Sequence, residues 1–157
     1  RAYSVGEHTF FCWLMAQKLG YSVREQLLVF IHDFTEAYVG DCPSPLKRLI
    51  PDFGAIEARV EAVICEHLGI EPPTEEEFAK VKSIDMTMLV LEMRDMTVHE
   101  YENFIDEHTH VSILDDKDFD LTNPTFNEPT LRNVLEIAFN QIMLRYKTEE
   151  YQNGNQN

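Results

Sequence analysis

Ser22-Val23-Arg24-Glu25-Gln26-Leu27-Leu28-Val29-Phe30-Ile31-His32-Asp33-Phe34-Thr35-Glu36-Ala37-Tyr38-Val39-Gly40-Asp41 is the stretch on which the fold turns. Ser22 and Glu25 have the spacing of a capping box, so a helix is expected to start here. Leu27, Leu28, Phe30, Ile31 and Phe34 then recur at helical intervals and carry the helix to about Gly40. Into this apolar run the sequence sets His32, Asp33 and Glu36. Residues three and four apart share a helix face, so the three can converge on one point. Charge left unpaired among Phe30, Ile31 and Phe34 is costly. A cation would offset that cost, and a nitrogen and oxygen donor set suits borderline divalent ions.

Working outward, the helical period repeats. Ser4-Val5-Gly6-Glu7 is a second capping box, followed by Phe10, Phe11, Leu14, Met15 and Leu19 on one face, with Gly20 placed to end the helix. Downstream, Asp41-Cys42-Pro43-Ser44-Pro45 reads as a turn, a short helix is expected through Leu49, and Pro51 is read as closing it. A third long helix is expected from about Phe53 to Leu68, striped by Ile56, Val60, Val63, Ile64 and His67 or Leu68 and ended by Gly69. Thr74 caps a fourth, carrying Val81, Ile84, Met88, Leu89 and Leu91. Val98 to about Glu107 reads as a separate helix, and residues 108–129, without periodicity, as a loop. Thr130 is expected to cap the last helix, striped by Leu131, Val134, Leu135, Ala138, Phe139, Ile142 and Tyr146. The tail after Lys147 is polar and expected to fray. No segment alternates with period two. The expectation is an all-α bundle of five to seven helices, a single domain over residues 1–150 with a polar tail at 151–157.

The chain has 157 residues, 28 acidic and 13 basic, for a formal charge of −15. At 44% hydrophobic it can bury a core and is no disordered acidic tail. The charge argues against a nucleic-acid polymer, whose binding needs a basic surface, and against an anionic membrane. No apolar run approaches the length of a membrane span. Cys12, Cys42 and Cys65 are odd in number and widely spaced, which reads as a reduced, cytoplasmic chain with each thiol a small buried hydrophobe. The chain opens on Arg1 and not Met, so residues are expected upstream. His108 and His110, with Asp115, Asp116, Asp118 and Asp120, read as a solvated loop, because EF-hand spacing is absent. His67 and His99 read as packing or surface residues, and Trp13 as core.

Two further positions break the apolar pattern of their helices. His8 lies in the first turn of the first helix, beside its apolar face. Asp85 shares a stripe with Val81, Met88 and Leu89. Together, His8, His32, Asp33 and Asp85 offer two nitrogens and two carboxylates to one ion, with positions left open for water and substrate, as metal-assisted hydrolysis requires.

The segments Ser4-Val5-Gly6-Glu7-His8 and His32-Asp33-Phe34-Thr35-Glu36-Ala37-Tyr38-Val39-Gly40-Asp41-Cys42-Pro43-Ser44-Pro45-Leu46-Lys47, followed by Asp85 on a later helix, resemble the HD-domain phosphohydrolases. The similarity is greatest to the branch of bacterial 5′-deoxynucleotidases and phage deoxyadenosine-triphosphate triphosphohydrolases. That branch carries S-V-x-E-H, then H-D-x-x-E-x-x-x-G-D-x-P-x-P-x-K, then a later Asp. The resemblance covers about residues 1–92. It implies His8, His32, Asp33 and Asp85 as ligands of a divalent metal (Co, Mn, Zn, Fe or Mg), and Glu36 as the acid/base. It further implies Asp41 at the sugar 3′-hydroxyl, Lys47 at the phosphate, and Arg1 as a less specific arginine near the first segment. The family's principal phosphate-binding arginine is expected upstream of Arg1. The residues themselves add reasons for two of these. Gly40 permits a sharp helix end that projects Asp41, and Pro43 and Pro45 stiffen the turn before Lys47.

The implied function is metal-dependent cleavage of the 5′ phosphoester of a deoxynucleotide. The compact spacing, 24 residues from His8 to His32 and 52 from Asp33 to Asp85, slightly favours a dNTP triphosphohydrolase that releases triphosphate. The alternative is a 5′-deoxynucleotidase acting on dNMPs. Further rivals are a non-catalytic nucleotide-binding HD domain and a signalling-nucleotide phosphodiesterase. The implied partners are a small deoxynucleotide and further copies of the chain in a homo-oligomer. The implied location is the cytoplasm, that of the host if the chain is of phage origin.

Overall fold

The computed structural model describes residues 3–97, 100–122 and 126–154. Among these the chain forms α1 (Val5–Lys18), α2 (Val23–Ile31), α3 (Glu36–Val39), α4 (Ser44–Lys47), α5 (Pro51–Leu68), α6 (Glu75–Met96), α7 (Val111–Leu114) and α8 (Glu128–Gly154), with 3₁₀ turns at Tyr101–Phe104 and Lys117–Phe119. No strand occurs among the described residues, and the protein is an all-α helical bundle. Among the described residues no helix is long and apolar enough to cross a membrane.

Three of the long helices open on the expected capping boxes: Ser4 with Glu7, Ser22 with Glu25, and Thr74 with Glu77. In each, the hydroxyl accepts from the N3 amide while the N3 carboxylate accepts from the cap amide, which satisfies two orphan donors. α1 packs on α2, and both lie against α6 and α8. One core cluster joins Phe11, Cys12 and Met15 of α1 to Ile84, Met88 and Leu91 of α6. A second joins Leu27, Leu28 and Phe30 of α2 to Ala138, Ile142 and Tyr146 of α8. Gly6 lets α1 and α8 approach closely, since a Cβ there would stand 3.1 Å from Leu135 Cδ1. Trp13, half-buried, packs edge-on against Phe10 and Phe30.

Several expected boundaries move. The second helix ends at Ile31 and not near Gly40. The His32 ring donates from Nδ1 to the Val29 carbonyl at 2.7 Å, the acceptor that the Asp33 amide would otherwise take. The chain tightens into i+3 turns (Phe34 amide to Ile31 carbonyl, 2.9 Å; Glu36 amide to Asp33 carbonyl, 3.0 Å) before α3 begins. Pro51 does not close the short helix. It opens α5, where its missing N–H costs nothing. The α5 stripe is present but only partly covered: Val60, Ile64 and Leu68 are half-buried, Ile56 and Val63 are exposed, and Cys65 is the buried residue of that helix. The expected helix from Val98 to Glu107 is only the 3₁₀ turn Tyr101–Phe104, with 98 and 99, and so His99, outside the described residues. The cap of α8 is Asn127, whose Oδ1 accepts from the Thr130 amide at 3.0 Å. That helix continues through the supposed tail to Gly154.

Residues 108–122 are only in part the solvated loop expected: His108, Asp115, Asp118 and Asp120 are exposed, but most of the apolar residues among them are not. Ile113, Leu114, Phe119 and Leu121 are buried in the α1–α6 cluster. Asp116 pairs with Lys18 at 2.6 Å, and His110 meets Ser83 Oγ at 3.0 Å while its amide donates to Thr87 Oγ1. His108 is exposed, as is His67.

One cross-bundle pair predicts an acid response. Arg24 of α2 donates from Nε to Glu77 Oε1 at 2.6 Å and from Nη2 to Oε2 at 3.2 Å. These hydrogen bonds, with the capping amide of Thr74, hold the Glu77 carboxyl down at about 2, below its ordinary 4.5. A depressed folded pKa adds stability that is complete above the unfolded value and is lost as pH falls through the folded one. Glu77→Gln should therefore cost about 1.5–3 kcal/mol at neutral pH. It should also flatten the loss of stability between pH 4.5 and 2 in urea midpoints. An acid limb identical to wild type would refute the pairing.

Candidate metal centre and its pocket

His8 sits in the first turn of α1, His32 at the C-cap of α2, Asp33 directly after it, and Asp85 within α6. Three elements thus bring the four predicted ligands together, although two of them stand beyond the helix that was expected to carry them. His8 Nε2 lies 3.4 Å from His32 Nε2, 3.5 Å from Asp33 Oδ2 and 3.7 Å from Asp85 Oδ1. His32 Nε2 lies 3.2 Å from Asp33 Oδ1.

The far nitrogens are already engaged. His32 Nδ1 donates to the Val29 carbonyl, and His8 Nδ1 donates to Glu92 Oε1 at 2.7 Å. With those protons fixed on Nδ1, both Nε2 atoms of the neutral rings present lone pairs. Two lone pairs and two carboxylates then face one another, with the Cys12 thiol 3.3 Å from His8 Nε2 and the Lys82 ammonium on Asp85 Oδ2 as the neighbouring donors. A further proton or a cation would satisfy that arrangement, and the donor set fits a divalent metal.

In the metal-free chain a proton fills part of the role. Burial opposes charge on His8, but the Cys12 sulfur and the Glu92 carboxylate beside it outweigh that and raise the ring above its ordinary range. His32 moves the other way, because burial and the neighbouring His8 disfavour a second positive ring. Asp85 is held below the usual carboxylate range. Burial pulls against this, but Lys82 Nζ sits 2.6 Å from Oδ2 and leaves Oδ1 toward His8.

His8, His32, Asp33, Glu36, Asp41, Lys47 and Asp85 all line one cavity of about 600 Å³. Glu36 is the first residue of α3. Burial, then the Asp33 and Asp41 carboxylates, raise its carboxyl to about 7, where it exchanges protons at neutral pH. Gly40 has φ +77°, a left-handed turn that ends α3 and places Asp41 at the mouth of the cavity. Lys47 reaches the same cavity, but its ammonium is paired with Glu57 of α5. Arg1 lies outside the described residues. A second cavity of about 620 Å³ shares Asp33, Glu36 and Asp41 and is walled by Val5, Phe30, Phe34, Leu135 and Phe139.

Two neighbours escaped the reading of spacings. Glu92 buttresses His8, as carboxylates commonly do behind metal-binding imidazoles. It stands two helical turns after Asp85 on the same face of α6, and that interval was the available signal. Cys12, one turn after His8, was read as a packing residue. It is fully buried, but its Sγ lies 3.3 Å from His8 Nε2. Cys42 is half-buried in the cavity lining, unlike the buried hydrophobe expected.

The chain is 39% identical over 95 residues to an uncharacterized protein of Escherichia coli (strain K12), YfdR. The match takes in 60% of this chain, which spans about half the length of that relative, 48%. No family model matches, and no solved structure matches.

Proposed function

We propose that the protein is an HD-domain phosphohydrolase, a metal-dependent enzyme that cleaves the 5′ phosphoester of deoxynucleotides. One observation carries this reading: all seven described residues of the two motifs and the later Asp that were expected to act together line a single cavity. A bound divalent ion at His8, His32, Asp33 and Asp85 would supply an acidified water and a counter-charge for phosphate. Glu36, which lines the same cavity, would handle the proton of that water or of the leaving oxygen. Asp41 accepts from a sugar hydroxyl at the mouth. The adjoining apolar cavity suits a nucleobase, so the pair of cavities matches a ligand with one charged end and one aromatic end.

Charge bears on the number of phosphates. Lys47 and Lys82 are the lysines in the described lining, and each is already paired with a carboxylate. Against them stand Asp33, Glu36, Asp41, Glu57, Glu61, Asp85 and Glu92. Over the described residues, which leave out Arg1, this balance favours the 5′-deoxynucleotidase version, with its smaller anionic charge, over the dNTP triphosphohydrolase that the compact spacing favours. The exposed Ile137, Leu144 and Tyr151, seven residues apart on one side of α8, support a homo-oligomer. The free thiols fit a cytoplasmic protein.

The test is a panel of dNMPs, NMPs, dNTPs and NTPs with Mg²⁺, Mn²⁺, Co²⁺, Zn²⁺ or Fe²⁺, the products separated by anion exchange. Orthophosphate from dNMPs, abolished by chelator, is the expected result. Triphosphate from dNTPs would restore the other version. Equal rates on ribo- and deoxyribonucleotides would remove Asp41 from sugar recognition and favour a signalling-nucleotide phosphodiesterase. Binding without turnover under every metal would leave a non-catalytic nucleotide-binding domain.

A further inference from the structure

We infer that Cys12 is a thiolate ligand of the same ion, so that His8, His32 and Cys12 form a nitrogen–nitrogen–sulfur face that selects zinc-like cations over magnesium. The inference rests on the reading above that this cluster holds a divalent metal. Its basis is geometric. Among the described residues, His8, Cys12 and His32 are the set whose donor atoms all lie within 4.8 Å of one another. Cys12 Sγ approaches Nε2 of His8, the nitrogen that faces His32 and the carboxylates, and not the Nδ1 engaged by Glu92. Bonds of about 2.1 Å to nitrogen and about 2.3 Å to sulfur, at the angles of about 90–109° that four- to six-coordinate ions allow, set N···N about 3.0–3.4 Å and N···S about 3.1–3.6 Å apart. The observed separations are 3.4 Å and 3.3 Å.

His8 and Cys12 stand one turn apart on α1, an interval at which two helix side chains reach one ion. The sulfur comes from the buried side of the cluster, since Cys12 has no exposed surface, while the carboxylates of Asp33 and Asp85 lie on the cavity side. Coordination breaks the S–H bond. The sulfur lone pair forms the bond to the cation and the proton leaves to solvent, so loading releases one proton more than imidazole and carboxylate ligation alone. Thiolate donors favour Zn²⁺, Co²⁺ and Fe²⁺, whereas Mg²⁺ prefers an all-oxygen octahedron.

The full chain, reduced and metal-free, is titrated with Co²⁺ without air, with bound cobalt measured by equilibrium dialysis. The expected spectrum combines visible d–d bands with a sulfur-to-cobalt charge-transfer band in the near ultraviolet. Cys12→Ser and Cys12→Ala should keep the visible bands, lose the charge-transfer band and lower Zn²⁺ affinity at least about tenfold. Cys42→Ser and Cys65→Ser should retain the band. Bound cobalt with d–d bands but no charge transfer in the wild-type chain overturns the thiolate ligand and leaves the metal site standing, and this readout needs no variant to fold. A band that persists in both Cys12 variants also overturns it. No cobalt bound at all removes the metal-dependent reading, and this inference with it.

Discussion

Asp33→Ala should lose hydrolysis by about a thousand-fold or more in the metal-loaded assay, while its metal-free form melts no lower than wild type. The carboxylate of Asp33 faces both imidazoles, 3.5 Å from His8 Nε2 and 3.2 Å from His32 Nε2. On the proposed reading, removing it would take an anionic donor from the ion, and a catalytic metal supplies several kcal/mol of charge stabilisation. At about 1.4 kcal/mol per factor of ten, that corresponds to three decades or more. The stability half of the prediction has the opposite sign because the site is crowded with acids. Asp33 is one of the carboxylates that, after burial, raise Glu36 to about 7. Deleting it relieves that repulsion and lets Glu36 return toward its ordinary range. Saturating metal should reverse the order: an ion at a hundred times its Kd adds about 2.7 kcal/mol to wild type and little to the variant. Thermal melts with and without metal, beside turnover rates, separate these effects. Turnover within tenfold of wild type would show that Asp33 is no ligand.

His8, His32, Asp33 and Asp85 drew notice by cost, as ionisable groups set among apolar residues, and the resemblance to the HD-domain motifs, more than spacing, joined them into one proposed ligand set. Spacing alone found the three capping boxes, whose chemistry is wholly local. It could not find Cys12, because a thiol looks like any small core residue until its neighbour is known. Nor could it find the end of α2 at Ile31, which depends on the His32 ring reaching back to the Val29 carbonyl, a side-chain choice that competes with the ladder. Periodicity located α5 correctly as a helix but misjudged its burial, since a stripe reports what can be covered and not what covers it. Ile56 and Val63 remain open to solvent.

Phe119→Ala should destabilise the fold by about 3–5 kcal/mol, the range for emptying an aromatic core site. Phe119 has no exposed surface and meets Phe11 of α1 with ring centroids 6.2 Å apart. Lys18 covers it, the ammonium 5.7 Å from the ring centre. The surrounding segment looked like solvated loop because α7 and the following 3₁₀ turn are too short to show a period, and because aspartates flank them. Its order comes instead from long-range polar ties to α6. The Arg94 guanidinium donates to the carbonyls of Leu114 and Phe119, and the Leu121 amide donates to Asp95 Oδ2 at 2.9 Å. Those ties hold Phe119 and Leu121 against the helix that carries Asp85 and Glu92. A solvated excursion would tolerate Phe119→Ala within about 0.5 kcal/mol. Asp118→Ala, at a largely exposed partner of Lys18, supplies the contrast and should cost less than about 1 kcal/mol. Urea unfolding with a common m-value distinguishes the two cases, and a small loss at Phe119 would return residues 108–122 to the solvent.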